Sequence, residues 1–198
     1  MQKAVELFSE LGFDNTPIRE LCQRAGVNVA MINYYFGSKE KLFEAIIEHK
    51  SHYMRELLKD LQADSTLDEM AKIDTIIELY VTRIWSNPLF HRIIHQEMLL
   101  KSRPEVNKII EAMFIRNLQT IKSIIEDGIR KKIFRKVDPE FTVASVVGTI
   151  NHFMTTPAIY NLLSDRPAEA DPFQNTLLRT RLISHLKQMI HAHLLNNP

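Results

Sequence analysis

Apolar residues recur at helical spacing along nearly the whole chain. Ala4, Leu7, Phe8 and Leu11 form one stripe, and Ile18, Leu21, Cys22 and Ala25 the next. This is the i, i+3, i+4, i+7 signature of amphipathic helices. Boundary signals stand between the stripes. Thr16-Pro17 reads as an N-cap followed by a first helical residue, and Gly26 as a left-handed C-cap. Asn28 and Ser38 are placed to cap the next two helices. The pattern predicts helices over 1–11, 17–25 and 28–35, then a long one over 39–61.

Further on, each break again opens a helical stripe. Ser65-Thr66 precedes DEMAKIDTIIELYVTRIW, and Asn87-Pro88 opens LFHRIIHQEMLL. Ser102-Arg103-Pro104 opens EVNKIIEAMFIRNLQTIKSIIEDGIRKK, and Asp138-Pro139 opens EFTVASVVGTINHFMTT. Asp171-Pro172 precedes a last helix ending near Leu195. No window alternates with period two, and no hairpin dipeptide stands between two strand-like runs. The chain reads as all-α, with about nine helices. The polar run SDRPAEADP, residues 164–172, is expected to be a mobile loop.

Composition changes this picture little. The 198 residues are 45% hydrophobic and 25% charged, with a net charge of +1, values ordinary for a globular protein with a real core. No apolar run reaches the roughly 18 residues that cross a bilayer, and the first residues form an amphipathic stripe rather than a signal peptide. A cytoplasmic protein is expected. The single cysteine, Cys22, cannot pair within the chain, which fits a reducing compartment.

Tyr34, Tyr35 and Phe36 stand side by side in one short helix. Successive helical side chains point about 100° apart, so three adjacent rings cannot share one core. At least one faces out. Residues 16–36 have the layout of a helix-turn-helix: a first helix TPIRELCQRA ending at Gly26, Val27 as an apolar plug, and a second helix from Asn28. A tight turn of this kind leaves the outer face of the second helix free to enter a major groove.

The run LFSELGF…TPIRELCQRAGVNVAMINYYFGSKEKLFEAI resembles the DNA-binding domain of the TetR family of bacterial transcriptional regulators, ungapped over about the first 48 residues. IKSIIEDGIRKKIFRKVDPEFTVASVVGTI more weakly resembles a helix, turn and helix common in that family's regulatory domain. The resemblance implies a helix-turn-helix domain over 1–45, and a helical ligand-binding and dimerisation domain over 46–198. It places Val29, Ala30 and Asn33 at base-contacting positions. An asparagine amide can bond adenine bidentately, while Val29 and Ala30 offer only apolar contact. Thr16, Asn28, Tyr34, Tyr35 and Lys39 match phosphate-contacting positions. Phe36 matches a buried one. Capping alone would also account for Thr16 and Asn28, and the two tyrosines could instead cap the three-helix core with only their hydroxyls wet. Family members usually carry a basic stretch before the first helix, which this sequence lacks.

For the rest of the chain the resemblance implies an effector cavity and a homodimer through the last two helices. The stripes permit both. Tyr80, Trp85, His95, Met98, Met113, Phe114, Asn117 and Asn151 are the candidate pocket residues, with Glu97 beside His95. Polar groups on apolar faces need a partner in the protein or on a ligand. Apolar residues at 139–163 and 173–195, such as Val143, Val146, Ile150, Leu178, Leu182, Leu186 and Ile190, exceed what one core needs and are the expected dimer surface. His91 and His95 are i,i+4 on one helix, yet no third ligand follows at useful spacing, so no metal and no cofactor is expected. G-x-S-x-G, Walker A, G-x-G-x-x-G and Glu-x-x-His are all missing, which argues against an enzyme. The expected function is a regulator, more readily a repressor, that binds a palindromic double-stranded DNA operator as a homodimer and is released by a small hydrophobic organic effector. The rival reading is an all-α small-molecule-binding or adaptor protein that does not bind DNA.

Overall fold

The computed structural model describes residues 1–101 and 103–195. These form ten α-helices: α1 (Gln2–Leu11), α2 (Ile18–Ala25), α3 (Val29–Phe36), α4 (Lys39–Ala63), α5 (Glu69–Ser86), α6 (Pro88–Leu100), α7 (Pro104–Arg130), α8 (Pro139–Thr155), α9 (Pro157–Leu163) and α10 (Thr176–Leu194). A short 3-10 turn, Pro172–Gln174, precedes the last. No strand occurs among the described residues.

Most boundary chemistry acts as its residue types require. The Asp138 carboxylate accepts the amides of Glu140 and Phe141 at 2.9 and 3.0 Å, with Pro139 at the first helical position. Ser38 Oγ accepts the Lys41 amide at 3.1 Å. Three expectations need correction. Thr16 does not cap α2: its hydroxyl turns back and donates to Gly12 O at 2.7 Å, so it closes α1 instead. The cap of α5 is Asp68 rather than Ser65 or Thr66. The stretch opened by Pro139 ends at Thr156 as quoted, where the backbone (φ −127°, ψ 47°) leaves the helix, but a further short helix, α9, opens at Pro157 and was not expected. A residue preceding proline is pushed out of the α region, and this adds the tenth helix. Ser102, read above as part of a helix start, lies outside the described residues.

Two compact units organise the chain. The first joins Met1–Glu56 to Leu89–Arg116. Its core brings Leu7 and Phe8 of α1, Phe43, Ile46 and Ile47 of α4, Ile93 and Ile94 of α6, and Ile110 of α7 together, all at 1% exposure or less. Each such side chain contributes roughly 1.5–3 kcal/mol by leaving water. Phe8, Phe13 and Phe43 pack edge to face or tilted, with ring centroids 5.0–5.4 Å apart. Helix α6 and the first half of α7 therefore share a core with the N-terminal helices.

The second unit joins Leu57–Pro88 to the chain from Asn117 onward. Here α10 lies along α5, and Leu186, Ile190 and Leu194 are buried. His191 bonds Asp74 at 2.9 Å and Lys187 pairs with Glu78. The carboxylate of buried Glu69 is held below its usual range, first by a bond from Lys131 at 2.5 Å. The polar run after α9 is tied down by buried Asn161, whose Nδ2 donates to Ala170 O at 2.7 Å and Ala168 O at 3.3 Å. Among the described residues no helix is long and apolar enough to cross a membrane.

Candidate nucleic-acid interface and body cavity

The turn between α2 and α3 rests on Gly26. Its backbone is left-handed (φ 67°, ψ 30°), a conformation that costs residues with a Cβ about 1–2 kcal/mol. The Val27 amide then donates to Cys22 O at 3.0 Å, and the Val27 side chain packs on the core. Asn28 caps α3 by accepting the Met31 amide at 2.8 Å. Helix α3 is anchored by Ile32, 4% exposed, with Val29 and Phe36 packed beside it one turn before and after. The opposite face is open. Ala30 and Asn33 are exposed. Tyr34 and Tyr35 are 83% and 67% exposed, their rings edge to face at 5.1 Å.

Ala30, Asn33, Tyr34 and Tyr35 thus share one accessible surface with Asn28 at its start. Val29 instead sits on the inner, half-buried side. Thr16 is fully buried, and its hydroxyl is occupied. The Lys39 ammonium points into the turn between α1 and α2, donating to Phe13 O at 2.9 Å, Thr16 O at 3.1 Å and, at the limit, Asp14 O at 3.5 Å. It also lies 4.4 Å from the Phe13 ring centroid. Beside it Glu40 keeps its carboxylate ionised below the usual range, through its own amide first and then Ser38. The start of α4 therefore already carries a negative group where the free amides would draw a phosphate.

Most cations of the first three helices are paired: Lys3 with Glu6, and Arg24 with Glu10 and Glu20. Arg19, exposed on α2, makes no ion pair with another described residue. It was not singled out from the sequence, since an unpaired surface charge is visible only once its neighbours are placed.

The second unit holds an apolar cavity of about 40 Å³ between α5, α7, α8 and α10, with Ile76, Ile77, Ile125, Val143, Ile150 and Ile190 among its walls. That space is far smaller than the roughly 300 Å³ at which typical ligand pockets begin. Of the eight candidate pocket residues, Tyr80 alone lines it. The Tyr80 hydroxyl is buried without a well-formed hydrogen bond, though Asn117 lies beside it, and burial pushes its pKa up to about 12. Trp85 stacks on Phe153 with centroids 5.3 Å apart, its indole N–H buried and unpaired. Asn151 belongs to the second unit as well. His95, Met98, Met113 and Phe114 fall in the first unit, where the last three pack against the core. Glu97 is bonded to Arg103. The candidate set is therefore split between two cores, because helical spacing cannot say which of two cores a stripe faces. Val143, Ile150, Leu186 and Ile190, expected on a dimer surface, are buried within the second unit. Among the described residues no three His, Cys, Asp or Glu side chains gather within reach of one metal ion.

Residues 1–46 match a family model described as bacterial regulatory proteins, tetR family. The chain is similar to the HTH-type transcriptional repressor NicS of Pseudomonas putida, 32% identical over 142 residues that cover 68% of this chain and 64% of that protein. It also matches the probable HTH-type regulator YttP of Bacillus subtilis at 26% identity, over 67% of this chain and 64% of the other. The matched region thus spans less than two thirds of either relative. Among solved structures, the TetR family regulator PfmR from Thermus thermophilus superposes with a TM-score of 0.75 at 18% identity, covering 98% of each chain. FadR of Bacillus subtilis, in complex with stearoyl-CoA, gives 0.70 at 20% identity over 93% of this chain and 94% of the other.

Proposed function

We propose that this chain, which belongs to the TetR family of bacterial regulatory proteins, is a transcriptional regulator that reads double-stranded DNA with α3. The observation that carries the reading is the outer face of α3: an asparagine and two tyrosines, open to solvent on a short helix whose inner face is fixed by Ile32 and whose start is capped. Asn33 and Ala30 face base edges, Asn33 with a donor and an acceptor suited to adenine. Tyr34, Tyr35, Asn28 and Arg19 meet the phosphates, fixing position without reading sequence. Residues 1–45 form the reading head, and 46–198 provide dimerisation and effector sensing. One short helix reads few bases, so a homodimer binds an inverted repeat with its two α3 helices about 34 Å apart.

The finer reading is a cytoplasmic repressor released by an effector. A FadR structure containing stearoyl-CoA shows that a protein of this fold accepts an acyl compound. In this chain the site is the cavity at Tyr80, which must expand to take an organic molecule. Its walls favour an apolar ligand with one polar group for the Tyr80 hydroxyl. Selection from random duplex DNA by the purified protein tests the proposal. Enrichment of an inverted repeat is expected. Recovery of unselected DNA would leave the rival, a helical binding protein without an operator.

A further inference from the structure

The turn between α1 and α2 has one backbone bond of its own, from the Thr16 amide to Phe13 O at 3.2 Å, and side chains hold it from outside as well. Lys39 binds its carbonyls from α4. Arg103, at the entry to α7, approaches from the other direction. Its guanidinium lies 4.1 Å from the Phe13 ring centroid. One nitrogen donates to Asp14. The other two take both oxygens of Glu97, with Nε to Oε2 at 2.9 Å. Glu97 is 3% exposed and Arg103 13%, whereas Asp14 is 71% exposed. A bidentate pair of this kind is a rigid fork, and burial shields it from salt. All of these groups lie in the first compact unit.

We infer that Arg103 is a positioning residue for DNA binding. Anchored on Glu97, it ties the 12–17 turn to α6 and α7, and so sets where α2 and α3 present their outer faces. This rests on the DNA-reading role argued above. Arg103 touches no phosphate in this role; it acts through Asp14 and Phe13.

The test uses the full chain with two variants. Removing Arg103 alone would strand the buried Glu97 carboxylate and threaten folding. The double variant Glu97→Leu/Arg103→Leu removes the tether without stranding a charge, and an apolar replacement of a buried pair is often tolerated. Asp14→Asn keeps the Glu97–Arg103 fork and weakens only its last link. In the double variant, amide exchange should rise within residues 12–17 while α1 and the second unit keep their protection. Affinity for the selected DNA should fall about tenfold, equally for all sequences, with the slope against salt concentration unchanged because no phosphate contact is lost. Asp14→Asn should move both readouts in the same direction by less. Unchanged exchange at 12–17 overturns the tether. Raised exchange with DNA affinity within twofold of the parent overturns the positioning role, and a reduced salt slope would make Arg103 a direct phosphate contact instead. If the parent selects no DNA, the DNA-reading proposal and the positioning role fall together, and the exchange measurement still decides whether the tether exists.

Discussion

Asn33 and Tyr34 are exposed neighbours on one face, and the proposed function gives them different tasks. An Asn33→Ala variant should lose about 1–3 kcal/mol of discrimination at one position per half-site, seen as a relaxed base preference in repeated selection. If the selected sequence stays the same, Asn33 does not face the bases. Tyr80 offers a prediction that needs no ligand. An unfolded tyrosine ionises near 10, whereas burial raises Tyr80 to about 12. The unfolded chain therefore loses its proton first. The stability this group contributes is complete below pH 10 and is lost as pH rises from 10 to 12. Its loss should be roughly 2–3 kcal/mol over that window. Urea unfolding of the parent and of Tyr80→Phe measures this as a difference. The variant should lack that part of the alkaline decline, and parallel curves would show that the Tyr80 hydroxyl is wet.

At the scale of elements, the end of α7 turns on a close approach. The chain folds back after Arg130, and the Ile133 and Phe134 amides both donate to Gly128 O, at 2.9 and 3.0 Å. This seats the Phe134 ring, 3% exposed, directly on the helix. A Cβ at Gly128 would meet that ring at 2.2 Å, so Gly128→Ala must displace Phe134. Overpacking of this kind costs about 1–3 kcal/mol, read as a lower urea midpoint. A neutral result would mean that the ring moves freely. Helical periodicity shows Gly128 only as a glycine inside an apolar stripe. The reason for it lies six residues on, in a contact that periodicity does not encode. The stop at Thr156 was legible, because a residue before proline leaves the helix. The short helix α9 after it was not, since seven residues are too few to show a helical period.

For the whole molecule, the unspent apolar surface sits elsewhere than the helical stripes imply. Phe141, Ile159, Leu162, Leu163 and Leu177 are each more than half exposed, on α8, α9 and the start of α10. Exposed clusters of this kind mark interaction surfaces, and a stable dimer needs roughly 1,200–2,000 Å² in total. Light scattering should report a dimer at micromolar concentration. Ile159→Asp/Leu163→Asp, two charges one turn apart on α9, should yield monomers that no longer bind the inverted repeat. A dimer that survives both charges would place the interface on another face.

Helix content, the caps at Asn28, Ser38 and Asp138, the glycine turn at Gly26 and the solvent-facing tyrosines follow from local chemistry. Period, φ preference and capping act within a few residues, so a single chain displays them. The helix-turn-helix over 16–36 was legible for that reason: its turn and the cap of its second helix are fixed by bonds within a few residues. The pocket was not. Whether Met113 or Asn117, one helical turn apart on α7, faces the first core or the second depends on helices dozens of residues away. The sequence presents both as members of one stripe. Lys39 makes the same point for charge. Its place at a helix start favours a phosphate, but the carbonyls of residues 13 and 16 reach its ammonium first. Packing brings those carbonyls there, and hydrogen-bond donors go to whatever acceptor the fold sets within about 3 Å.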